Sequence, residues 1–494
     1  MVTDSATLPW LAALEEAATY PHPVGTIEIV HTHLSVIALT GDYAYKLKKP
    51  VDYGFVDFTT LEKRRAACAA ELRLNRRAAA DLYLEVVPLV STPAGWRMGG
   101  AGEPVEWAVR MRQFAPQHRL DRMAAREGLP DDLLDRLADR VAELHQGAAV
   151  APAATARSYP EHLAAAIAGN FAACPADAQA GRLRAAFDQR LARHGVLLAD
   201  RAAAGRVRDC HGDLHLANLC LWQGEPVPFD CIEFNDAFRQ IDVLSDFAFL
   251  YMDLVERGLP RQARRVLNRY LEATGDYAGL HALPLFVAYR AQVRAKIAHL
   301  TAAAPGVPAA TRAVHEAEGA RYLDFAEQAL ATPPGSLCLM VGLPGSGKST
   351  VALRLACDAG GVRVRSDAER KRLHALHPAR QLYSDVLGAR TYRHLLTCAR
   401  AIVAGGFMAV LDATYLRRDY RRPVLDLAAE LGVPLRIVHC AAPLAVLRER
   451  VRERRAAGSD LSDADEAVLQ QMAGSWEGFS DEERSLVEVV DGGP

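Results

Sequence analysis

Residues 341–350 read VGLPGSGKST, and this stretch decides the fold of the C-terminal part of the chain. Its glycines, lysine and serine have the spacing of a P-loop, in which backbone N–H groups and a helix N-terminus cradle phosphates. The lysine of such a loop reaches the outer phosphates, and the serine hydroxyl holds Mg²⁺. We therefore predict a nucleotide-binding loop made by Gly342, Gly345, Gly347, Lys348, Ser349 and Thr350.

The residues around this loop predict a parallel sheet. An apolar run precedes the loop, a helical pattern follows it, and the order of strand and helix then repeats. Such alternation is typical of parallel strands covered by helices. We expect this fold from residue 337 to the C-terminus.

Two acidic residues beyond the loop are candidates for catalysis. Asp412 ends the buried run FMAVLD. At the carboxyl end of a parallel strand it would face the nucleotide and organise Mg²⁺ or its waters. Asp367 follows the shorter run VRVRS, where it would take the proton from an acceptor hydroxyl.

The stretch LRERVRERR, residues 447–455, predicts an arginine-rich helix. Arg448, Arg452, Arg454 and Arg455 are candidates for one or two side chains that close over the phosphates and neutralise transition-state charge. The alternative is a solvated basic helix face that contacts no nucleotide.

These motifs resemble those of the small P-loop kinases that include zeta toxins, chloramphenicol phosphotransferase and the 5′-hydroxyl polynucleotide kinases. The resemblance rests on GLPGSGKST, on SDAER as an acceptor element, on LDATYLRRDYR and on the arginine-rich helix. It implies phosphoryl transfer to a hydroxyl, with Asp367 as base or orienter and with Arg370 and Arg421 on the acceptor side. It does not select the acceptor.

A second and unrelated motif lies at residues 208–220, RDCHGDLHLANLC. Asp213 and Asn218 have the Asp-to-Asn spacing of a protein-kinase catalytic loop, in which the Asp is the base and the Asn binds a metal ion. Asp230, at the end of PVPFD, stands where the second metal-binding Asp of such kinases falls. These three residues make a complete base and metal set, and His211 is expected to hold the loop by a local hydrogen bond.

A lysine for the nucleotide phosphates is predicted upstream of this loop. Lys46 ends the strand-like segment YAYK, and Lys48 lies on the same strand face as an alternative. In the next predicted helix, Glu71 is the expected ion-pair partner of this lysine, and Glu62 is the alternative.

Residues 27–300 resemble the aminoglycoside phosphotransferase and choline kinase branch of the protein-kinase-like fold. HGDLHLAN followed by FDCIEF carries this resemblance. It implies a bilobal kinase domain in which Asp242 and Asp246 brace the catalytic loop. The sequence has no GxGxxG loop before the strand of Lys46, so we expect another turn, such as HTHLS at residues 31–35, to cover the phosphates.

Composition limits the function classes. The 494 residues are 50% hydrophobic and 24% charged, which excludes a disordered chain. A net charge of −2 does not favour nucleic acid or an anionic membrane as partner. The nine cysteines form no CxxC pair, so reduced thiols are favoured over a metal site at Cys210, Cys220 and Cys231. We find no signal peptide or long apolar segment and expect a cytoplasmic protein.

The two motifs predict two domains of mixed α/β and α+β class. We expect a protein-kinase-like bilobal domain at residues 1–300, a helical linker at 301–336 and a P-loop parallel-sheet domain at 337–494. The order resembles bacterial fusions of an aminoglycoside-phosphotransferase-like domain with a P-loop kinase.

The predicted function is bifunctional phosphotransfer from ATP to hydroxyl groups of small molecules, with Mg²⁺ as the metal. One alternative is that the C-terminal domain phosphorylates a 5′-hydroxyl end of nucleic acid. Another is that it binds nucleotide as a switch and regulates the first domain or a protein partner. The sequence does not predict the acceptors, the order of reactions, the choice of ATP over GTP or the oligomeric state.

Overall fold

The structure is a computed structural model that describes residues 8–54, 56–93, 95–375, 385–457 and 466–491. The chain folds into two compact units. The first unit comprises residues 1–159 and 202–250, and the second comprises residues 160–201 and 251–494.

The first unit is built on a six-stranded antiparallel sheet in the order β1-β2-β3-β6-β4-β5. Its strands are β1 (Glu28–His31), β2 (Ser35–Leu39), β3 (Tyr43–Lys48), β4 (Tyr83–Thr92), β5 (Gly95–Met98) and β6 (Pro104–Arg112). Along β3 the side chains alternate between two faces. Tyr45 and Leu47 pack into a core with Trp10, so Lys46 and Lys48 point to the opposite face.

The first unit also contains two short two-stranded antiparallel sheets, which follow the six-stranded sheet in the chain. They pair β7 with β10 and β8 with β9. Their bounds are β7 (Val207–Asp209), β8 (Leu219–Trp222), β9 (Glu225–Pro228) and β10 (Gln240–Asp242).

Within the described residues, ten α-helices precede the P-loop. They are α1 (Leu61–Ala79), α2 (Leu120–Arg126), α3 (Asp131–Gly147), α4 (Ala153–Arg157), α5 (Tyr159–Asn170), α6 (Ala178–Ala203), α7 (Val243–Glu256), α8 (Pro260–Thr274), α9 (Leu283–Ala303) and α10 (Ala309–Leu330). The first four belong to the first unit. Nearly all of α5 and α6 belong to the second unit, and after a return to the first unit the chain passes to the second unit again within α7. Thr60 caps α1 by accepting a hydrogen bond from the Lys63 N–H. Along α3 the apolar stripe Leu134, Leu137 and Val141 is fully buried.

The second unit contains a parallel five-stranded sheet in the order β12-β13-β11-β14-β15. Its strands are β11 (Ser336–Val341), β12 (Gly361–Arg365), β13 (Met408–Asp412), β14 (Leu435–Ala441) and β15 (Val487–Asp491). The helices after the P-loop are α11 (Lys348–Ala359), α12 (Ser366–Ala375), α13 (Asp385–Ala404), α14 (Arg418–Leu431), α15 (Leu444–Ala457), α16 (Glu466–Gly474) and α17 (Asp481–Arg484). Parallel strands need such crossover helices, which the alternating pattern predicts.

The compact units divide the chain at other positions than the predicted domain bounds. Residues 160–201 and 251–300 fall in the same compact unit as the P-loop sheet. The bounds 1–300, 301–336 and 337–494 stay a prediction about modules of sequence. Within the described part of the chain, no helix combines the length and the apolar character that crossing a membrane requires.

Candidate active sites

The P-loop joins the end of β11 to the start of α11. Gly342 has φ +151°, and a Cβ there would lie 2.5 Å from the Cys440 carbonyl oxygen, so no larger residue fits. Lys348, the first residue of α11, donates a hydrogen bond from Nζ to the Leu343 carbonyl oxygen at 2.8 Å. The lysine head group therefore lies against the loop. Ser349 follows in the first turn of the same helix, and Thr350 is exposed.

Asp412 ends β13, the strand next to the P-loop strand β11. Asp367 lies two residues beyond the end of β12, which pairs with β13 on its other side. Asp412 is buried, and its Oδ2 has no hydrogen-bond partner among the described residues. Arg365 Nε is 3.9 Å from that oxygen. A buried carboxylate oxygen without a hydrogen bond fits a divalent cation or its water, because Mg²⁺ prefers oxygen ligands.

Asp367 stands in the first turn of α12, one turn before Arg370. Burial raises the pKa of the Asp367 carboxyl above its usual value, and the positive charge of Arg370 acts in the opposite direction. A carboxylate with a raised pKa is a better proton acceptor than an exposed one.

Two arginines that were predicted to close over the phosphates, Arg448 and Arg452, contact residues of α16. Arg448 Nη2 donates to Gln470 Oε1, and Arg452 pairs with Glu466, both at exposed positions. Arg450 Nη1, which the sequence analysis did not select, lies 3.5 Å from the Gly345 carbonyl oxygen. The helical phase explains the difference, since Leu447 and Val451 fix the buried face of α15. The side chains of Arg454 and Arg455 lie outside the described residues.

Arg421 corrects an expectation drawn from the family resemblance. Its side chain is fully buried and pairs with Glu483, with Nε 2.6 Å from Oε1. The remaining nitrogens donate to the carbonyl oxygens of Tyr415, Leu416, Glu477 and Gly478. All three guanidinium nitrogens of Arg421 donate to groups of the protein, so none is left to donate to an acceptor substrate. These bonds connect α14 to the C-terminal segment.

In the first unit, Lys46 lies between two carboxylates. Its Nζ is 2.8 Å from Glu71 Oε1, and it also contacts Asp230 Oδ1. Burial opposes the charge of Lys46, but Asp230 and Glu71 outweigh it and hold the pKa of Lys46 well above its usual value. The alternative partner, Glu62, is exposed on the first turn of α1.

Lys48 also lies between two carboxylates, and the sequence analysis missed one of them, Glu233. Its Nζ contacts Glu71 Oε2 at 2.5 Å and also contacts Glu233. Glu71 thus holds both lysines of β3, one with each oxygen. The alternation of β3 places the two lysines together, but no local signal in the sequence connects Glu233 to Lys48.

The catalytic-loop motif forms one hydrogen-bonded structure. Asn218 Nδ2 donates to Asp213 Oδ2 at 2.8 Å. The carboxylate of Asp246 accepts the backbone N–H groups of His211 and Gly212 at 2.9 and 2.8 Å, which is the bracing expected of it. Asp242 accepts the N–H of Leu244 at the start of α7, and its bracing of the catalytic loop stays a prediction.

The loop that carries Asp230 is bonded to the catalytic loop. The Phe229 N–H donates to the Asn218 carbonyl oxygen at 3.0 Å, and His211 Nε2 lies 2.9 Å from the Phe229 carbonyl oxygen. Asp230 itself has φ +62°, a strained conformation for this residue type that is found at functional sites. The structure therefore gathers Lys46, Glu71, Asp213, Asn218 and Asp230 into one connected set.

The turn predicted to cover the phosphates is the hairpin between β1 and β2. Thr32 and Ser35 close it, since the Thr32 N–H donates to the Ser35 carbonyl oxygen at 2.9 Å. This hairpin precedes the strand of Lys46, where a glycine-rich loop stands in other kinases. Its role in nucleotide binding stays a prediction.

The cysteines near the catalytic loop are buried. The Cys210 thiol donates to the Ile241 carbonyl oxygen at 3.5 Å, and burial raises the pKa of the Cys210, Cys220 and Cys231 thiols. Possible ligand atoms of Cys210, His145 and Asp246 lie within 4.8 Å of one another. Since Asp246 already accepts from the catalytic loop and His145, this cluster acts as a brace for the loop.

Comparison with known proteins finds two family models that match separate segments of the chain. The family model described as "Phosphotransferase enzyme family" matches residues 55–283, and the one described as "AAA domain" matches residues 337–478. An uncharacterized protein of Mycobacterium tuberculosis is 33% identical over 476 residues, which cover 92% of each chain. The chain belongs to the same family as that protein. It is a two-module kinase, with a phosphotransferase module followed by a P-loop module.

Two solved structures resemble single modules of this two-module kinase. A choline/ethanolamine kinase family protein from Mesorhizobium loti is 16% identical with a TM-score of 0.38, and the match covers 66% of this chain and 95% of that one. A gluconokinase from Sinorhizobium meliloti is 22% identical with a TM-score of 0.26, and the match covers 33% and 85%. Both TM-scores are low, so neither structure identifies what this chain binds.

The family matches confirm the predicted fold class and the predicted fusion of two kinase modules. They also confirm that the two-module kinase is an ATP-dependent phosphotransferase. The residues that carry out the chemistry, the metal and the acceptors remain predictions.

Proposed function

We propose that the protein is a bifunctional kinase, in which each module uses ATP and Mg²⁺ to phosphorylate a hydroxyl group of a small molecule. The observation that supports this proposal is that each module has a separate group of candidate residues: Lys46, Glu71, Asp213, Asn218 and Asp230 in the first, and Lys348, Ser349, Asp367 and Asp412 in the second. Neither set borrows a predicted base, lysine or metal ligand from the other.

In the phosphotransferase module, Lys46 would bind the α- and β-phosphates, and Glu71 would hold that lysine in place. Asn218 and Asp230 offer the amide and carboxylate oxygens that Mg²⁺ prefers. Bound there, the metal would neutralise charge on the phosphates. Asp213 would accept the proton of the acceptor hydroxyl, and its hydrogen bond to Asn218 orients its carboxylate.

In the P-loop module, Lys348 and the backbone of the glycine loop would bind the β- and γ-phosphates. Ser349 and Asp412 would hold the metal or its waters. Asp367 would accept the acceptor proton, which its raised pKa favours. Arg370 stands one helical turn away and would orient the acceptor.

The same bonds change at both sites. The bond between the γ-phosphorus and the β–γ bridging oxygen breaks, and a bond from the acceptor oxygen to that phosphorus forms. The acceptor proton passes to the carboxylate base, and ADP leaves with the electron pair of the broken bond. The net charge of −2 supports small acceptors over a nucleic-acid backbone, whose binding relies on basic residues.

The test is ATP consumption with ³¹P detection in a mixture of small metabolites. The full chain is compared with the single variants Asp213→Ala and Lys348→Ala. We expect each variant to abolish a different phosphorylated product, or to stop one sequence of products at a different step. Arg182→Gln, which removes an exposed arginine of α6 that pairs with Glu327, serves as the control.

Other outcomes lead to the alternative functions. If the chain binds ATP but phosphorylates no small molecule, the proposal fails. Phosphorylation of a 5′-hydroxyl oligonucleotide that Lys348→Ala abolishes would then indicate a nucleic-acid kinase. A P-loop module that acts only as a switch would keep its function in Asp367→Ala and lose it in Lys348→Ala.

A further inference from the structure

Helix α8 covers the open edge of the P-loop sheet, although it lies inside the segment that matches the phosphotransferase family. The edge strand is β12. Asn268 Oδ1 accepts the Arg363 N–H at 2.7 Å, and its Nδ2 donates to the Gly361 carbonyl oxygen at 3.1 Å. One side-chain amide thus supplies the pair of hydrogen bonds that a neighbouring strand would make.

One turn further along α8, Glu272 binds both arginines of β12. Its Oε2 is 3.0 Å from Arg363 Nη2, and its Oε1 is 3.4 Å from Arg365 Nη1. All three side chains are largely buried, with exposed fractions of 6% for Glu272, 11% for Arg363 and 13% for Arg365. In such surroundings charge interactions are screened less than at the surface.

Both arginines also reach the residues proposed to hold the metal. Arg365 Nε is 3.9 Å from Asp412 Oδ2, and Arg363 Nη1 donates to the Ser349 carbonyl oxygen at 3.1 Å. The guanidinium of Arg365 therefore lies between two carboxylates, Glu272 and Asp412. As long as Glu272 is charged, Arg365 is attracted to both carboxylates and is therefore held less closely to Asp412.

We propose that Glu272 is a positioning residue of the P-loop site, which draws Arg365 away from Asp412 and so leaves that carboxylate available to a nucleotide-bound divalent cation. Without the charge of Glu272, Arg365 would compete with Mg²⁺ for Asp412. The P-loop site would in this way depend on a helix of the phosphotransferase module. This inference rests on the proposed use of Asp412 for a metal.

The test measures binding of a non-hydrolysable ATP analogue to the full chain by calorimetry at graded Mg²⁺ concentrations. An Asp230→Asn background should weaken metal-dependent binding in the first module, and Lys348→Ala in the same background provides the blank. Glu272→Gln should raise the Mg²⁺ concentration for half-saturation about tenfold, within the range of coupling found between residues of one network. Binding without Mg²⁺ should stay unchanged.

Glu256→Gln is the matched control. Glu256 of α7 pairs with Arg321 of α10 at 2.6 Å, so this variant also removes a charged partner of an arginine but touches no P-loop residue. Arg365→Gln removes the competitor itself and should leave Mg²⁺ binding as tight as in the parent or tighter. The double variant Glu272→Gln/Arg365→Gln should match Arg365→Gln alone.

The possible failures are distinguishable. If Glu272→Gln has the same Mg²⁺ dependence as Glu256→Gln, or if the double variant stays as weak as Glu272→Gln, the positioning role is overturned while the P-loop site stands. If no variant or parent with an intact Lys348 binds nucleotide above the blank, the proposed function of the P-loop module itself fails. If Glu272→Gln also lowers the unfolding temperature, the positioning role is tested by comparing the Mg²⁺ dependence of the double variant with that of Arg365→Gln. A difference between these two overturns the role.

Discussion

Asp367 is the residue whose environment makes the clearest prediction about pH. Burial raises the pKa of its carboxyl, and the charge of Arg370 partly offsets this. Only the deprotonated form can accept a proton, so P-loop-dependent transfer should increase as the pH rises through the pKa of Asp367. Because this pKa lies above its usual value, the acid limb should lie at a higher pH than for an exposed aspartate.

Arg370→Gln tests this assignment through a pH–rate profile. Loss of the positive charge should raise the pKa of Asp367 further and move the acid limb to higher pH. Arg422→Gln, which removes an exposed arginine paired with Asp426, should leave the limb in place. An acid limb that does not move in Arg370→Gln would contradict Asp367 as the base.

Arg421 gives a second prediction at this scale, about stability. Replacing it by Gln would leave the buried Glu483 without its cation and several carbonyl oxygens without donors. We expect a loss of about 3–5 kcal/mol in the free energy of unfolding, measured by chemical denaturation. Arg448→Gln should cost little, since that side chain is exposed. A stable Arg421→Gln protein with impaired catalysis would restore the role that the family resemblance implied.

Short motifs could be predicted from the sequence because their chemistry is local. The spacing within the P-loop and between Asp213 and Asn218 fixes which groups lie together, and the structure places them so. Glu233 and Glu272 could not be predicted, because each contacts its partner only through the tertiary fold. Arg450, and not Arg448, lies beside the P-loop because of the rotation of α15 about its axis. The sequence does not reveal this rotation, because arginines occur on several faces of the helix.

At the scale of elements, the contact of α8 with β12 gives a prediction of its own. Asn268→Ala would leave the Arg363 N–H and the Gly361 carbonyl oxygen at the sheet edge without partners. Leaving buried groups unpaired costs about 1–3 kcal/mol. We therefore expect faster hydrogen–deuterium exchange in peptides that cover β12.

The control for this element is Gln179→Ala, which removes a surface amide of α6 that bonds to Asp324 of α10. It should leave exchange in β12 unchanged. Unaltered protection of β12 in Asn268→Ala would mean that α8 does not stabilise the edge strand.

Elements were predictable where periodicity is strong. The apolar stripe of α3 and the strand–loop–helix order around the P-loop follow from spacing alone. The grouping of α8 and α9 with the P-loop sheet in one compact unit does not, since no repeated pattern marks which surface a helix covers.

At the scale of the whole molecule, we propose that one chain carries two separate nucleotide sites. Each site would have its own lysine, Lys46 in the phosphotransferase module and Lys348 in the P-loop module. The 33% identity over 92% of a mycobacterial relative shows that the two modules occur together in more than this chain. The joined architecture is therefore shared with that relative.

The measurement that tests this claim most directly is the stoichiometry of a non-hydrolysable ATP analogue with Mg²⁺, by calorimetry on the full chain. We expect two nucleotides per chain, one in Lys46→Met, one in Lys348→Met and none in the double variant. A single nucleotide per wild-type chain, with one of the two lysine variants leaving it unchanged, would contradict the account.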